Sequence, residues 1–357
     1  DGVPAIKNEA SRFIKNFLDL DVDAANCLPT VGSMQGAFAS FMICGHTNKE
    51  KDTVLFIDPG FPVHKFQTKI LGLKMESFDI YEYRGEKLRE KLESIFSTGK
   101  IHSVLYSNPN NPTWVCLTDE ELKIIGELAN KYDVIILEDL AYFGMDFRKD
   151  YSHPGVAPFQ PTVGKYTDNY ILMLSTSKAF SYAGERCAVL GISNKLAERR
   201  YPDLKEFCGQ EIFARGIIFG ALHPLSSGTS HSAQYAVAGV MKAVNDGTYN
   251  YRDDVLEYGE KAKMMKDAFT SNGFKLTYDE DLGEPIADGF YFTYYYPGFT
   301  GAELLEKMLY YGISAISLDT CGSTRQGIRA CTSLIQRDEI PVLAERLKRF
   351  AEDHPIK

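Results

Sequence analysis

The stretch YILMLSTSKAFSYAGERCAVLGIS (residues 170–193) decides how the chain is read. Its first six residues, YILMLS (170–175), have the length and apolar density of a strand buried on both faces, and CAVLGIS (187–193) begins another. Between them the run breaks into small and polar residues, with Lys178 three positions after Ser175 and eight before Arg186. An isolated loop lysine belongs to solvent. A lysine at the end of a buried strand lies instead where open α/β sheets bind ligands, provided that the other strands are of the same kind.

The neighbouring segments meet that condition. TVLFID (53–58), SVLYSN (103–108) and VIILED (134–139) are continuous apolar runs, as parallel strands covered on both faces must be. Helical patterns intervene. Residues 4–18 place Ile6, Ala10, Phe13, Ile14, Phe17 and Leu18 on one stripe, and Leu88, Leu92, Ile95 and Phe96 repeat the spacing. Thr118 and Glu121 have the spacing of a capping box ahead of Leu122, Ile125, Leu128 and Ala129. The alternation predicts an α/β fold, a mostly parallel sheet with helices on both faces and a ligand site beyond the strands' C-terminal ends. From residue 251 the texture changes to a long charged helix (251–271), a strand within GFYFTYYYP (289–297) and a helix over 301–312. This predicts a large domain over 1–250 and a smaller α+β domain over 251–357, sharing a long helix rather than a flexible tether.

Composition narrows the function classes. The 357 residues are 44% hydrophobic with a formal net charge of −9. No basic stripe with interleaved aromatics is found, which argues against a nucleic-acid partner. Seven scattered cysteines never form C-x-x-C, so neither a disulfide framework nor a zinc site is expected, and a reducing, cytoplasmic setting fits. No apolar run approaches the roughly 20 residues that span a bilayer, so no membrane partner is expected. His64, His223 and His231 are too dispersed for a metal site.

The residues that follow each strand form an unusual set. VIILED ends on Asp139 with Tyr142 three positions on; SVLYSN runs into PNNPT with Asn111; YILMLS runs into Ser175, Lys178 and Arg186; TVLFID runs into PGF with Phe61. Upstream, LPTVGSMQGAF (28–38) reads as a loop entering a helix through Gly32, Ser33 and Met34, whose unpaired N–H groups favour an anion. Taken singly, Asp139 reads as a helix cap and Phe61 as core. Together the set describes a site for an anionic, aromatic, aldehyde-bearing cofactor. Lys178 supplies an amine for a Schiff base, Asp139 a carboxylate for a protonated ring nitrogen, and Asn111 and Tyr142 hydrogen bonds for a ring oxygen. Ser175, Arg186 and the amides at 32–34 would bind a phosphate, and Phe61 would stack on the ring.

On these motifs the sequence resembles the class I and II aminotransferases, pyridoxal phosphate enzymes of fold type I. The family's S-x-S-K-x(7)-R element appears as Ser175, Ser177, Lys178 and Arg186, its N-P-x-N-P-T element as NPNNPT (108–113), and its D-x-x-Y element as DLAY (139–142). The resemblance spans roughly residues 1–340 and implies pyridoxal 5'-phosphate as cofactor. It implies transfer of an amino group between an L-amino acid and a 2-oxo acid through Lys178, with Asp139 and Tyr142 assisting. Arg329, in GIRACTS, takes the place of the arginine that grips the substrate α-carboxylate, beside Asn111, with Arg325 as its rival. A homodimer is implied, each site completed by its partner. The family also admits a C–S lyase acting by β-elimination, and aminotransferase-like ligand sensors occur within transcription regulators. Three departures stand out. Trp114 occupies the position of the glycine that usually follows N-P-T, so a reshaped loop is expected. LDTCGSTRQGIR (318–329) replaces the usual P-G-x-x-F-G stretch. The first helix resembles one that the family reaches after an N-terminal arm, which is expected to supply a tyrosine to the partner's phosphate and to be absent from this chain.

Overall fold

The computed structural model describes residues 1–356. Its main sheet has seven strands: β1 (Cys27–Thr30), β2 (Thr53–Asp58), β3 (Lys74–Asp79), β4 (Ile101–Ser107), β5 (Ile135–Asp139), β6 (Tyr170–Ser175) and β7 (Ala188–Ile192). They lie in the order β1-β7-β6-β5-β4-β2-β3. Strands β3, β2, β4, β5 and β6 are parallel, whereas β7 runs against both β6 and β1. The helices among these strands are α1 (Pro4–Leu18), α2 (Gly32–Cys44), α3 (Pro62–Ile70), α4 (Glu86–Phe96), α5 (Asp119–Tyr132) and α6 (Thr176–Ala179).

The apolar runs are continuous because each strand feeds two cores. In β6, Leu172 and Leu174 join the core beneath α1, α4 and α5, while Ile171 and Met173 join the opposite core beneath α2 and the segment 213–222. The helical stripe of α1 is buried as its spacing predicts, and Thr118 and Glu121 form the expected capping box at the start of α5. The second sheet is antiparallel, in the order β12-β13-β11-β8, from β8 (Lys275–Leu276), β11 (Tyr291–Tyr295), β12 (Ile316–Ser317) and β13 (Ile328–Cys331). A two-residue pairing of β9 (Glu280–Asp281) with β10 (Glu284–Pro285) stands beside it. The helix Tyr251–Thr270 serves both cores, with Tyr251 and Val255 in the large one and Met265 and Phe269 in the small one. No helix among the described residues is long and apolar enough to cross a membrane.

One expectation is corrected. Residues 28–30 are not loop but part of β1, an edge strand paired antiparallel to β7, and the helix begins only at Gly32. Pro29 hides this strand from a propensity reading, although proline is tolerated at a sheet edge, where a ladder N–H can be spared.

One residue before Asp139 in β5, Glu138 points into the core and is fully buried. Its carboxyl accepts hydrogen bonds from Tyr106 Oη (3.0 Å), Val163 N (3.2 Å) and the Thr162 hydroxyl. Burial outweighs these donors and pushes its pKa up to about 7. The folded state therefore holds this proton more tightly than the unfolded chain, and its contribution to stability falls as pH rises from the ordinary glutamate range through 7. Unfolding midpoints at pH 5 and pH 8 should differ more for the native protein than for Glu138→Gln, by roughly 3 kcal/mol in ΔG. Parallel profiles for the two proteins would refute this.

Candidate active site

Strand β2 lies between β3 and β4, so the chain leaves β2 to one side and returns on the other. Such a reversal opens a crevice at the carboxyl ends of the strands, because the crossovers on either side diverge. Every residue given a cofactor or substrate role from the sequence, apart from Gly32 and the rival Arg325, lines one cavity of ≈ 250 Å³ in this crevice. Phe61 follows β2, Asn111 follows β4, Asp139 ends β5 with Tyr142 three residues on, and Ser175 ends β6 with Lys178 and Arg186 beyond it. Ser33 and Met34 come from the first turn of α2, and Arg329 reaches in from β13 of the second sheet.

Gly32 stands directly behind Arg186. It adopts φ +69°, and a Cβ there would lie 2.2 Å from Arg186 Nη2, so only glycine lets the guanidinium lie against the start of α2. Arg186 is itself fixed by donating from Nη1 to Ala183 O (2.6 Å). The guanidinium and the unpaired amides of a 13-residue helix thus share one corner, an arrangement suited to a phosphate.

Lys178 is half-buried, with Nζ 4.9 Å from the Phe290 ring centroid. Desolvation holds its amine below the ordinary lysine range; the charges of Arg329 and Arg186 add to the effect and Cys331 opposes it. A lysine that loses its proton readily is the kind that can act as nucleophile and base. Asp139 is buried at the end of β5, where Oδ1 accepts from Ala141 N (3.1 Å) and Oδ2 lies 3.8 Å from His64 Nε2. Asn111 accepts a hydrogen bond at Oδ1 from Arg329 Nη1 (2.8 Å). Tyr142 Oη donates to Tyr291 Oη (3.2 Å), and burial raises the pKa of the Tyr142 phenol far above the usual value. Ser175 caps the short α6 by accepting from Ser177 N (3.3 Å).

The two candidate arginines separate clearly. Arg329 lines the cavity with its guanidinium carbon 4.2 Å from the Tyr291 ring centroid. Arg325 is committed elsewhere: it donates to Glu82 (2.6 Å) and lies over Tyr81 and Tyr278. The departure LDTCGSTRQGIR docks onto the large sheet, where Cys321 O accepts from Gly60 N (2.9 Å). Trp114 takes φ +66°, the left-handed backbone that a glycine there would adopt, with its indole wholly buried.

His64 and Tyr291 also line the cavity, although the sequence reading gave neither a site role. His64 sits between Phe61, with ring centroids 5.5 Å apart, and Asp139. Its position three residues after Phe61 at the start of α3 was a usable signal, since such residues share a helix face. Tyr291 gave no local signal, because it reads as one more aromatic in a buried strand.

The class I and II aminotransferase family matches residues 1–347, and the chain belongs to that family. It is 28% identical over 196 residues to a probable aspartate aminotransferase of Methanocaldococcus jannaschii, covering 55% of this chain and 48% of the relative. Against the glutamate-pyruvate aminotransferase AlaC of Escherichia coli it is 27% identical over 264 residues, covering 72% of this chain and 58% of that protein. The chain thus spans about half the length of the curated relatives it matches. The fold agrees with the crystal structure of an aminotransferase from Mycobacterium tuberculosis, with a TM-score of 0.78 at 17% identity over 99% of this chain and 83% of that one.

Proposed function

We propose that the chain is a pyridoxal phosphate-dependent aminotransferase that moves an amino group between an L-amino acid and a 2-oxo acid. One observation carries the reading: a half-buried amine, Lys178, shares a cavity with a buried carboxylate and with two arginines set in different surroundings. Arg186 lies against the start of α2 and Arg329 against Asn111, which supplies one anion site for a phosphate and another for a carboxylate.

The residues present fit the cofactor. The buried nitrogens His64 Nε2 and Arg329 Nε have no hydrogen-bond partner among the described residues, and the space beside Arg186 exists because residue 32 lacks a Cβ. When bound, pyridoxal phosphate supplies an electrophilic carbon for amines and a cationic ring that draws electron density from the substrate Cα. Arg186, Ser175 and the amides of Ser33 and Met34 would hold the phosphate. Asp139 would keep the ring nitrogen protonated, with His64 beside it. Asn111 and Tyr142 would hydrogen-bond the ring oxygen, and Phe61 would pack against the ring. Arg329 holds the substrate carboxylate, while Lys178 Nζ takes the proton from Cα and returns it on the other side of the exchange. Exposed apolar side chains on α3 (Phe66, Ile70) and on the segment 216–222 (Phe219), both packed on α2, support a homodimer.

The deciding measurement is the absorption spectrum of protein loaded with pyridoxal phosphate, followed on adding L-amino acids without an acceptor. A visible band that moves to shorter wavelength, with one equivalent of 2-oxo acid released, is expected. Ammonia released catalytically under the same conditions would mark an eliminating lyase. A protein that takes up no cofactor would overturn the reading.

A further inference from the structure

The loop after β4 and the segment that leads into β11 meet through a pair of residues that only make sense together. Trp114 is 0% exposed, and a Cβ on Gly289 would lie 2.0 Å from its Cε2 and 2.1 Å from its Nε1. The indole therefore fills the volume that any side chain at 289 would need. Its ring meets Tyr142 edge-on (centroids 5.4 Å, 65°) and Tyr291 likewise (6.4 Å, 72°), and those two tyrosines are joined by their hydroxyls. Tyr291 in turn carries the Arg329 guanidinium on its face, and Arg329 donates to Asn111, three residues before Trp114. The circuit returns to the loop where it began.

We propose that Trp114 is a positioning residue for the carboxylate-binding arginine. By seating in the gap at Gly289, it fixes Tyr291 relative to the β4 loop, so that Arg329 and Asn111 meet in the geometry that receives a substrate carboxylate. The proposal rests on the aminotransferase reading of this site. The glycine position and the tryptophan position exchange bulk: the left-handed backbone at Trp114 aims the indole across the cleft, and the bare backbone at Gly289 admits it. Two edge-to-face contacts and one cation–π contact depend on that seating, each worth a small multiple in affinity.

The test is a mutant cycle on the cofactor-loaded protein. Trp114→Gly should raise KM for the amino donor roughly tenfold while kcat changes less than about threefold, with affinity for pyridoxal phosphate nearly kept. Gly289→Ala should cost a similar factor alone and nothing further in the Trp114→Gly background, since the indole it strikes is gone. Additive losses, or an unchanged KM in Trp114→Gly, would overturn the proposal. Should Trp114→Gly fail to fold, Trp114→Phe carries the same cycle, because the smaller ring also vacates the space at 289. A second readout needs no turnover. Trp114 is the sole tryptophan of the chain, so its emission should change when an amino acid with methyl in place of the α-hydrogen binds. Arg329→Gln should abolish that change, and a silent wild-type emission counts against the proposal. If no amino acid reacts with the loaded wild type, the functional reading has failed; if it reacts and the cycle is additive, only this inference has.

Discussion

Replacing Lys178 with alanine is expected to lower amino transfer by about 10⁴-fold or more while leaving pyridoxal phosphate able to bind without a covalent link. Lys178 is the lysine that lines the cavity among the described residues, so no second amine stands ready to carry the proton. Its amine is held below the ordinary lysine range chiefly by burial, which favours the neutral form that nucleophilic attack and proton abstraction require. Lys178→Arg separates charge from proton transfer. It keeps a cation in place but, being always protonated, should be about as inactive as the alanine variant. Single-turnover kinetics with a reactive amino acid would measure both losses. Mass analysis after borohydride treatment should show cofactor fixed to the native chain and to neither variant. Near-normal turnover in Lys178→Ala would remove the central residue from the mechanism.

How much of this was legible in the sequence depends on what each residue signals locally. The strands β2 and β6 were readable to the residue because burial on both faces forces an unbroken apolar run. Edge strands carry no such mark. In β3 the first four residues, Lys74 to Ser77, are exposed, and β1 holds a proline, so neither announces itself. The candidate site was legible where its proposed chemistry asks for a particular residue type at the end of a readable strand, as at Asp139 and Lys178. It was silent where the residue acts through packing: Tyr291 matters because of what it touches across two sheets, and a single sequence does not record such contacts. The pairing of Trp114 with Gly289 is of the same kind. Trp114 stood out as a bulky residue at a turn, but its complement 175 positions away did not.

The second large effect is expected at Asp139. Asp139→Asn keeps the size of the side chain and the hydrogen bond from Ala141 N, and removes only the negative charge. If the carboxylate holds a protonated ring nitrogen, the loss falls on the step in which electron density leaves Cα, and kcat should drop by about 10²–10³ with KM little changed. The buried setting is what makes the charge so influential, because screening by water is weak there. Had Asp139 served only to cap the turn after β5, asparagine would replace it almost without cost, since both side chains accept the same backbone N–H. A deuterium isotope effect at Cα decides between the two. In Asp139→Asn it should rise toward its full value as proton abstraction becomes rate-limiting, and unchanged kcat with an unchanged isotope effect would confine Asp139 to the turn. His64→Ala should show the same signature in weaker form, because His64 Nε2 lies 3.8 Å from Asp139 Oδ2, beyond hydrogen-bond distance, beside a charge that it does not replace.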